Sequence, residues 1–476
     1  MSDTAAIIPG PAILTWLVVS LTTLAYIFLK GYQRRASFNR LRRQGLPMPP
    51  WNPFLGHLLA LSPVLAKLPS DTQQPGAFEI LCKSHEKKDG ESLIYLDLWP
   101  FAADPLLVIC SPTLAVQACQ DHDLPRPEIL HKFFDPLAGG DNLFTMNGPE
   151  WKRSRALFNP GFSSSYILQQ FGQVVDEAAV YASKLREHSR QGDLFSLDKM
   201  TCWYTMDIIG AVTLNSRLHS QTRFNPLASA MRRQIRWHVL DNEFNLLVRW
   251  NPARPIFQAY NNWQMNRYIS RELDKRYAEW IDDQDITVAI SSSRSIIDIV
   301  LAEYMAQQQQ NTKTTRPKEL DPAFKKWAFA QIHVFIKETL RLFPPGSAFR
   351  RGQKDKYWPH ALDFKPERWL ITDPEDHLYT GRVKGGWRPF EHGPRDCIGQ
   401  TLAILDLKVT LVMTVREFYV LSTYDEWDLL HAKEIRGKIK HVNGERAYQI
   451  QSGGVHPADG FPCRVRMRTE EGIVRS

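Results

Sequence analysis

The sequence predicts a mainly α-helical fold with small β regions, a single large domain behind an N-terminal membrane anchor. Three observations carry that expectation. From Asp123 to about Tyr304 the apolar residues follow a mostly helical pattern. Runs of β type are confined to Ser92–Trp99, Pro105–Cys110 and a final pair, Ala447–Gln451 and Cys463–Met467. Ahead of them all lies Ala12–Leu29, eighteen residues without a charge, about the length that crosses a bilayer as a helix.

The anchor is followed by Lys30, Arg34, Arg35, Arg40, Arg42 and Arg43, with no acidic residue before Gly56. A cationic flank of this kind belongs on the cytosolic side, which sends residues 1–11 to the lumen. A cleaved signal peptide is the rival reading; the apolar run is long for one, the charges follow it, and no small-residue cleavage site stands out. Residues 30–53 form a basic and proline-rich hinge ending in Leu46-Pro47-Met48-Pro49-Pro50-Trp51-Asn52-Pro53, stiff enough to orient a body spanning 54–476. Within that body, Ser92–Trp99 and Pro105–Cys110 read as a hairpin. Met231–Trp250 mixes aromatic, apolar and basic residues as an amphipathic helix does, facing either a core or a membrane surface. Residues 307–318 (QQQQNTKTTRPK) read as a flexible surface linker. Helices are expected over Gln331–Leu342 and Gln400–Phe418, and the final β pair is expected to join through Gly453-Gly454.

With 476 residues, 43% of them hydrophobic, and 14 tryptophans, the chain can bury a large core. The six cations after the anchor account for most of the formal charge of +8, so the basic balance says little about nucleic acid. No zinc finger, RNA-binding signature or aromatic-interleaved basic tract supports such a partner. Cys82, Cys110, Cys119, Cys202, Cys397 and Cys463 show no C-x-x-C pairing and no regular spacing. They suggest neither a zinc site nor a disulfide framework, and a reducing, cytosolic environment fits them.

The most informative stretch is Trp387-Arg388-Pro389-Phe390-Glu391-His392-Gly393-Pro394-Arg395-Asp396-Cys397-Ile398-Gly399-Gln400. A lone cysteine in a Gly/Pro-punctuated loop, two residues after an arginine and just before an apolar helix, is built like a metal-ligand loop. It reads as the thiolate ligand of a heme iron, against the alternative of a structural cysteine buried in a turn. Arg395 and the amides of the following helix would favour the thiolate, Gly393 and Gly399 would let the backbone pass close to a flat macrocycle, and Phe390 would limit water access to the sulfur.

These residues resemble the heme-binding loop of the cytochrome P450 family, Phe-x-x-Gly-x-Arg-x-Cys-x-Gly, at all five defined positions. The resemblance implies heme b held by Cys397. It further implies that Trp151, Arg155, Arg350 and Arg395 hold heme propionates, the first two from a Trp-x-x-x-Arg helix opened by Asn147-Gly148-Pro149-Glu150. An amphipathic helix with an exposed arginine is the plainer reading of that pair. Glu338-x-x-Arg341 and Arg368 in Pro366-Glu367-Arg368-Trp369 would form the family's structural Glu-Arg-Arg network. Lys384, Arg388 and Arg395 would make the approach to Cys397 basic, suited to an acidic redox partner.

One departure stands out. The family carries Ala/Gly-Gly-x-Asp/Glu-Thr-Thr on a long helix across the distal face of the heme, and this chain has no such motif. Leu320–Ile336 resembles the opening of that helix, and Lys337-Glu338 then begins the Glu-x-x-Arg motif directly. A second shortening follows Arg350-Arg351-Gly352. The P450 fold is therefore expected to be incomplete, and no catalytic residue is identified. The implied parent activity is monooxygenation of an apolar small molecule in fungal secondary metabolism, with O2 and electrons from NADPH-cytochrome P450 reductase, at the endoplasmic reticulum membrane with the catalytic domain cytosolic. A heme-thiolate isomerase or dehydratase without O2 activation, and a non-catalytic remnant, are the alternatives.

Overall fold

The computed structural model describes residues 11–72, 74–85, 93–102, 105–122, 124–126, 128, 131, 134–135, 140–238, 250–282, 295–311, 322, 373–377, 390, 393–435, 437–438, 440–442, 444–451 and 455–468. Two compact units divide the chain, Met1–Lys67 with Ala77–Ser111, and Leu68–Gly76 with Pro112–Ser476.

In the smaller unit, helix α1 (Pro11–Arg43) exposes large apolar side chains from Leu14 to Leu29. By length and composition it can cross a membrane, its apolar eighteen-residue stretch having a mean hydropathy of 1.5. Its basic end behaves differently. Arg35 is buried, pairs with the carboxylate of Asp97, and donates to the carbonyls of Phe54 (3.2 Å) and Trp99 (3.0 Å). Trp51 Nε1 donates to the same carboxylate oxygen at 3.1 Å. Beside this pair His57 accepts from the Asp97 amide through Nδ1 (2.8 Å) and faces the Pro49 carbonyl through Nε2 (3.1 Å). Burial lowers its pKa to about 4, so the ring stays neutral at physiological pH. Helices α2 (Leu58–Leu65) and α3 (Gln74–Ser84) follow, then strands β1 (Leu93–Leu96) and β2 (Leu106–Ile109), paired antiparallel as expected, with Leu93 opposite Ile109. The cysteine spacing concealed one feature: Cys82 of α3 and Cys110 are joined in a disulfide, their Cα atoms 6.8 Å apart. The pair lies 28 residues apart in sequence.

The larger unit is built from helices whose ends the sequence marks clearly. Helix α4 (Gly148–Phe158) has Pro149 and Glu150 in its first turn. Helix α5 (Phe171–Gln191) stops at Gly192, at φ 59°. Strand β3 (Phe195–Ser196) leads into α6 (Leu197–Leu214), where the Ser196 side chain caps the Lys199 amide. Helix α7 (Pro226–Arg236) is capped by Asn225, and α8 (Arg254–Asp282) and α9 (Ile296–Asn311) follow. Helix α10 (Gln400–Thr414) leads to strand β4 (Phe418–Ser422), then β5 (Gln449–Gln451), β6 (Val455–Pro457) and β7 (Pro462–Met467).

Helix α6 is the centre of this unit. Met206 and Ile209 belong to a cluster with Phe158, Met231, Ile269 and Val300, contributed by α4, α7, α8 and α9. Tyr204 and Ile208 belong to a second cluster with Ala178, Leu402 and Val465, from α5, α10 and β7. Both faces of α6 are therefore core, which explains why its sequence carries so few charges. Asp207, buried on this helix, is satisfied by the Ser220 amide (2.6 Å), the Ser220 hydroxyl (2.6 Å) and the Gln221 amide (3.0 Å).

Four expectations change. The final β pair does not form: β7 lies between β3 and β4, antiparallel to both, while β5 pairs with β6. Only three residues separate β5 from β6, so the strand within reach of β5 is β6. Helix α10 ends at Thr414, because from Phe418 the chain is drawn into the sheet beside β7. The stretch read as linker from 307 is helical to Asn311, consistent with the good helix propensity of glutamine. The helix expected over 231–250 ends at Arg236, where α7 terminates at Trp237. The helix expected over Gln331–Leu342 lies outside the described residues.

The buried Arg35 and Asp97 pair generates a test. Arg35→Met leaves a carboxylate buried without its cation and should cost the smaller unit about 3–5 kcal/mol. Hydrogen exchange of the amides of residues 93–99 in detergent should report the loss, and a second change, Asp97→Asn, should recover most of it.

Candidate functional site

The Cys397 loop is shaped by its own backbone first. The Cys397 amide donates to the Phe390 carbonyl at 2.9 Å and the Asp396 amide to the Gly393 carbonyl at 3.1 Å, closing two nested turns. Gly393 sits at φ 89°, and a Cβ there would lie 2.5 Å from the Cys119 carbonyl oxygen, so both the dihedral and the packing demand glycine. Gly399 caps α10 at φ −86°, a conformation open to any residue. Cys397 is buried, 4% exposed, and packs with Ala403 and the half-buried Phe390.

Helix α4 supplies the other wall. Trp151 and Arg155, one turn apart, face the loop together as their spacing predicts. Arg155 donates to the Asp396 carbonyl (3.0 Å) and to its carboxylate (2.8 Å), the latter a charge-assisted bond to the residue just before the cysteine. In return the loop sends Arg395 to α4. Its guanidinium lies 4.2 Å from the Trp151 ring centroid and donates to the Met146 carbonyl and the Asn147 side chain, both at 3.0 Å. Asn147 also accepts from the Arg126 amide (2.8 Å) and donates to its carbonyl (3.0 Å), tying the start of α4 to the preceding segment.

Below the loop, α10 is held to α6. The Tyr204 hydroxyl donates to the Asp406 carboxylate and shares a 2.9 Å bond with the Thr410 hydroxyl. Asp406 is 1% exposed, and burial raises its pKa to about 6. Burial and the neighbouring carboxylate raise the Tyr204 hydroxyl as well, so it stays a donor.

Trp151, Arg155, Phe390, Arg395 and Cys397 are thus brought together. Arg350, Glu338, Arg341 and Arg368 lie outside the described residues, as do Lys384 and Arg388. Arg395 itself is turned toward Trp151 and Asn147, which corrects its expected place on a basic docking surface. Asp396, Asn147 and the Asp406–Tyr204 pair were missed. A lone acid in the apolar run Gln400–Thr414 was the available signal for Asp406. The donor set suits a heme on its cysteine side, with one soft buried sulfur at a helix N-terminus and two guanidinium groups close by whose present acceptors are a carboxylate, an amide side chain and carbonyls, groups a propionate can replace.

Comparison with known proteins agrees with this geometry. The sequence model of the family described as "Cytochrome P450" matches residues 91–322 and 348–439. Cytochrome P450 monooxygenase polC of Polytolypa hystricis is 33% identical, covering 93% of each chain, and cytochrome P450 monooxygenase acrF of Aspergillus aculeatus is 26% identical over 84% of this chain and 99% of its own. The heme domain of cytochrome P450DA superposes with a TM-score of 0.60 at 17% identity, over 90% of this chain and 98% of that one, a likeness of fold. The polC alignment runs over 537 positions, more than the 476 residues present here, so that relative carries residues this chain lacks. The family match also breaks between 322 and 348, and Glu338 and Arg341 fall in the break.

Asp406 makes the larger unit pH-sensitive in a defined direction. Its pKa is raised from 3.8 to about 6, so folding favours the protonated form; the contribution is complete below about pH 4 and lost as pH rises through 6. Relative to Asp406→Asn, wild type should lose about 3 kcal/mol of unfolding free energy between pH 4 and pH 7. Parallel pH profiles for the two proteins would contradict this.

Proposed function

The chain belongs to the cytochrome P450 family, and from that premise we propose that it is a heme-thiolate monooxygenase in which Cys397 would be the thiolate that holds heme b. The observation that carries the reading is the buried Cys397 sulfur, presented at the start of α10 by a loop that α4 grips through Arg155, Trp151 and Arg395. When bound, the heme supplies oxygen activation, and a thiolate ligand donates the charge that favours O–O cleavage. The protein's part is to hold that sulfur still and dry. Phe390 and Ala403 pack against it, Arg155 and Arg395 hold the loop and are the donors for propionates, and Asp406 with Tyr204 keeps α10 in register. Arg350 is a further propionate donor in this reading, and Glu338, Arg341 and Arg368 form the structural network behind the loop.

The same reading takes an apolar small molecule of fungal secondary metabolism as substrate, electrons from NADPH-cytochrome P450 reductase, and α1 as a single span of the endoplasmic reticulum membrane with the catalytic domain cytosolic. In a cytosolic domain the adjacent Cys82 and Cys110 would stand as thiols. A second reading, a heme-binding chain without oxygen activation, is favoured by the absent acid-threonine motif and by the break in the family match at residues 323–347. That segment would also wall the heme pocket, so its loss leaves apolar surface uncovered.

The ligand assignment is tested by the reduced CO spectrum of the purified protein. A thiolate-type band should appear and should vanish in Cys397→Ala; an unchanged band in that variant contradicts the assignment. Competence is tested separately. NADPH-driven turnover should be low for the chain as written and should rise when the missing distal segment is restored, with heme content rising alongside it. Equal coupled turnover by both forms would contradict the role given to that segment.

A further inference from the structure

Away from the Cys397 loop, α6 and the β5–β6 hairpin bring three different metal-binding side chains together. Asp198 lies in the first turn of α6 and Cys202 one turn later, so both project from one face of the helix. His456, in the middle of β6, reaches them from the other side, its Nδ1 2.8 Å from Asp198 Oδ1. One oxygen, one sulfur and one nitrogen ligand atom from the three residues all lie within 4.8 Å of one another.

We propose that Asp198, Cys202 and His456 form a binding site for a divalent transition-metal ion, zinc by preference, that clamps the start of α6 to the β5–β6 hairpin. Zinc takes thiolate, imidazole and carboxylate ligands at about 2.0–2.3 Å in tetrahedral geometry, which sets ligand atoms about 3.3–3.6 Å apart. The ligand atoms already stand within 4.8 Å of one another, and Asp198 and His456 would part from their present 2.8 Å hydrogen bond to take an ion between them. One soft sulfur and one imidazole beside a single carboxylate disfavour calcium and magnesium, which require oxygen-rich shells. Three protein ligands leave the fourth position to water.

The surroundings are built to hold this arrangement. The Ser196 hydroxyl donates to the Gly460 carbonyl (2.8 Å) while its oxygen caps the Lys199 amide, and the Leu197 amide donates to the Phe461 carbonyl at 3.2 Å. The Tyr424 hydroxyl fixes the Ala458 carbonyl at 2.7 Å. The helix start and the segment following β6 are therefore pinned on either side of the ligand residues, as ordered outer contacts require. Solvent reaches the cluster, since the Asp198 and His456 side chains are 22% and 17% exposed, so an ion has a way in.

Full-length protein in detergent, stripped with a chelator and then given Zn2+, should retain one zinc per chain through gel filtration, counted by elemental analysis alongside iron. Cys202→Ser and His456→Gln should each lower the zinc content at least tenfold, with the helical circular dichroism signal unchanged. Titration with Co2+ supplies an independent signature, a thiolate-to-cobalt charge-transfer absorption read as the difference between wild type and Cys202→Ser, so that heme and Cys397 cancel; the same band should persist in Cys397→Ala. Zinc retained equally by Cys202→Ser, or cobalt taken up without a band that depends on Cys202, overturns the site. Failure of the wild-type protein to take up either ion leaves Asp198 and His456 as an ordinary ion pair and overturns it equally.

Discussion

Two guanidinium groups, crossing in opposite directions between α4 and the Cys397 loop, are the constraint on which the rest of the site depends. Arg155 leaves the helix to bind Asp396, and Arg395 leaves the loop to stack on Trp151 and bind the Met146 carbonyl and Asn147. Hydrogen bonds to charged groups contribute about 1.5–3 kcal/mol each, and here they share one small loop whose backbone is already closed on itself. A ligand loop held this way is ordered before any ligand arrives. That is the condition for a metal–sulfur bond of fixed direction.

The same arrangement explains how a chain lacking a distal segment can keep an intact cysteine side. Helices α4, α6 and α10 and the loop form their contacts among themselves: α4 packs in the cluster with α6 and α9, and α10 is fastened to α6 through Asp406 and Tyr204. None of these contacts draws on residues 323–347, where the family match breaks and which lie outside the described residues.

Legibility in the sequence followed the range of the interactions. The Trp151–Arg155 helix, the β1–β2 hairpin and the cysteine loop were readable because their signals are local: a proline and acid at a helix start, alternating runs around a turn, glycines around one cysteine. Side-chain spacing on α4 even predicted which two residues share a face. What lay out of reach was the partner across the gap. Nothing local announces that Arg155 meets Asp396, that Gly393 is squeezed by the Cys119 carbonyl, or that Cys82 meets Cys110. Strand pairing failed for the same reason: β7 pairs with β4, dozens of residues upstream, while β5 takes the nearer β6.

The central claim, that α4 holds the cysteine loop in place, is most directly tested on heme-free protein by the rate at which Cys397 is alkylated, followed by peptide mass spectrometry. With the loop locked, the buried thiol should react slowly, and Arg155→Ala should raise its rate at least tenfold while Cys463, buried within β7, stays protected. If Cys397 in the wild-type heme-free chain reacts as fast as it does in Arg155→Ala, the loop is not held by the helix and the account is contradicted.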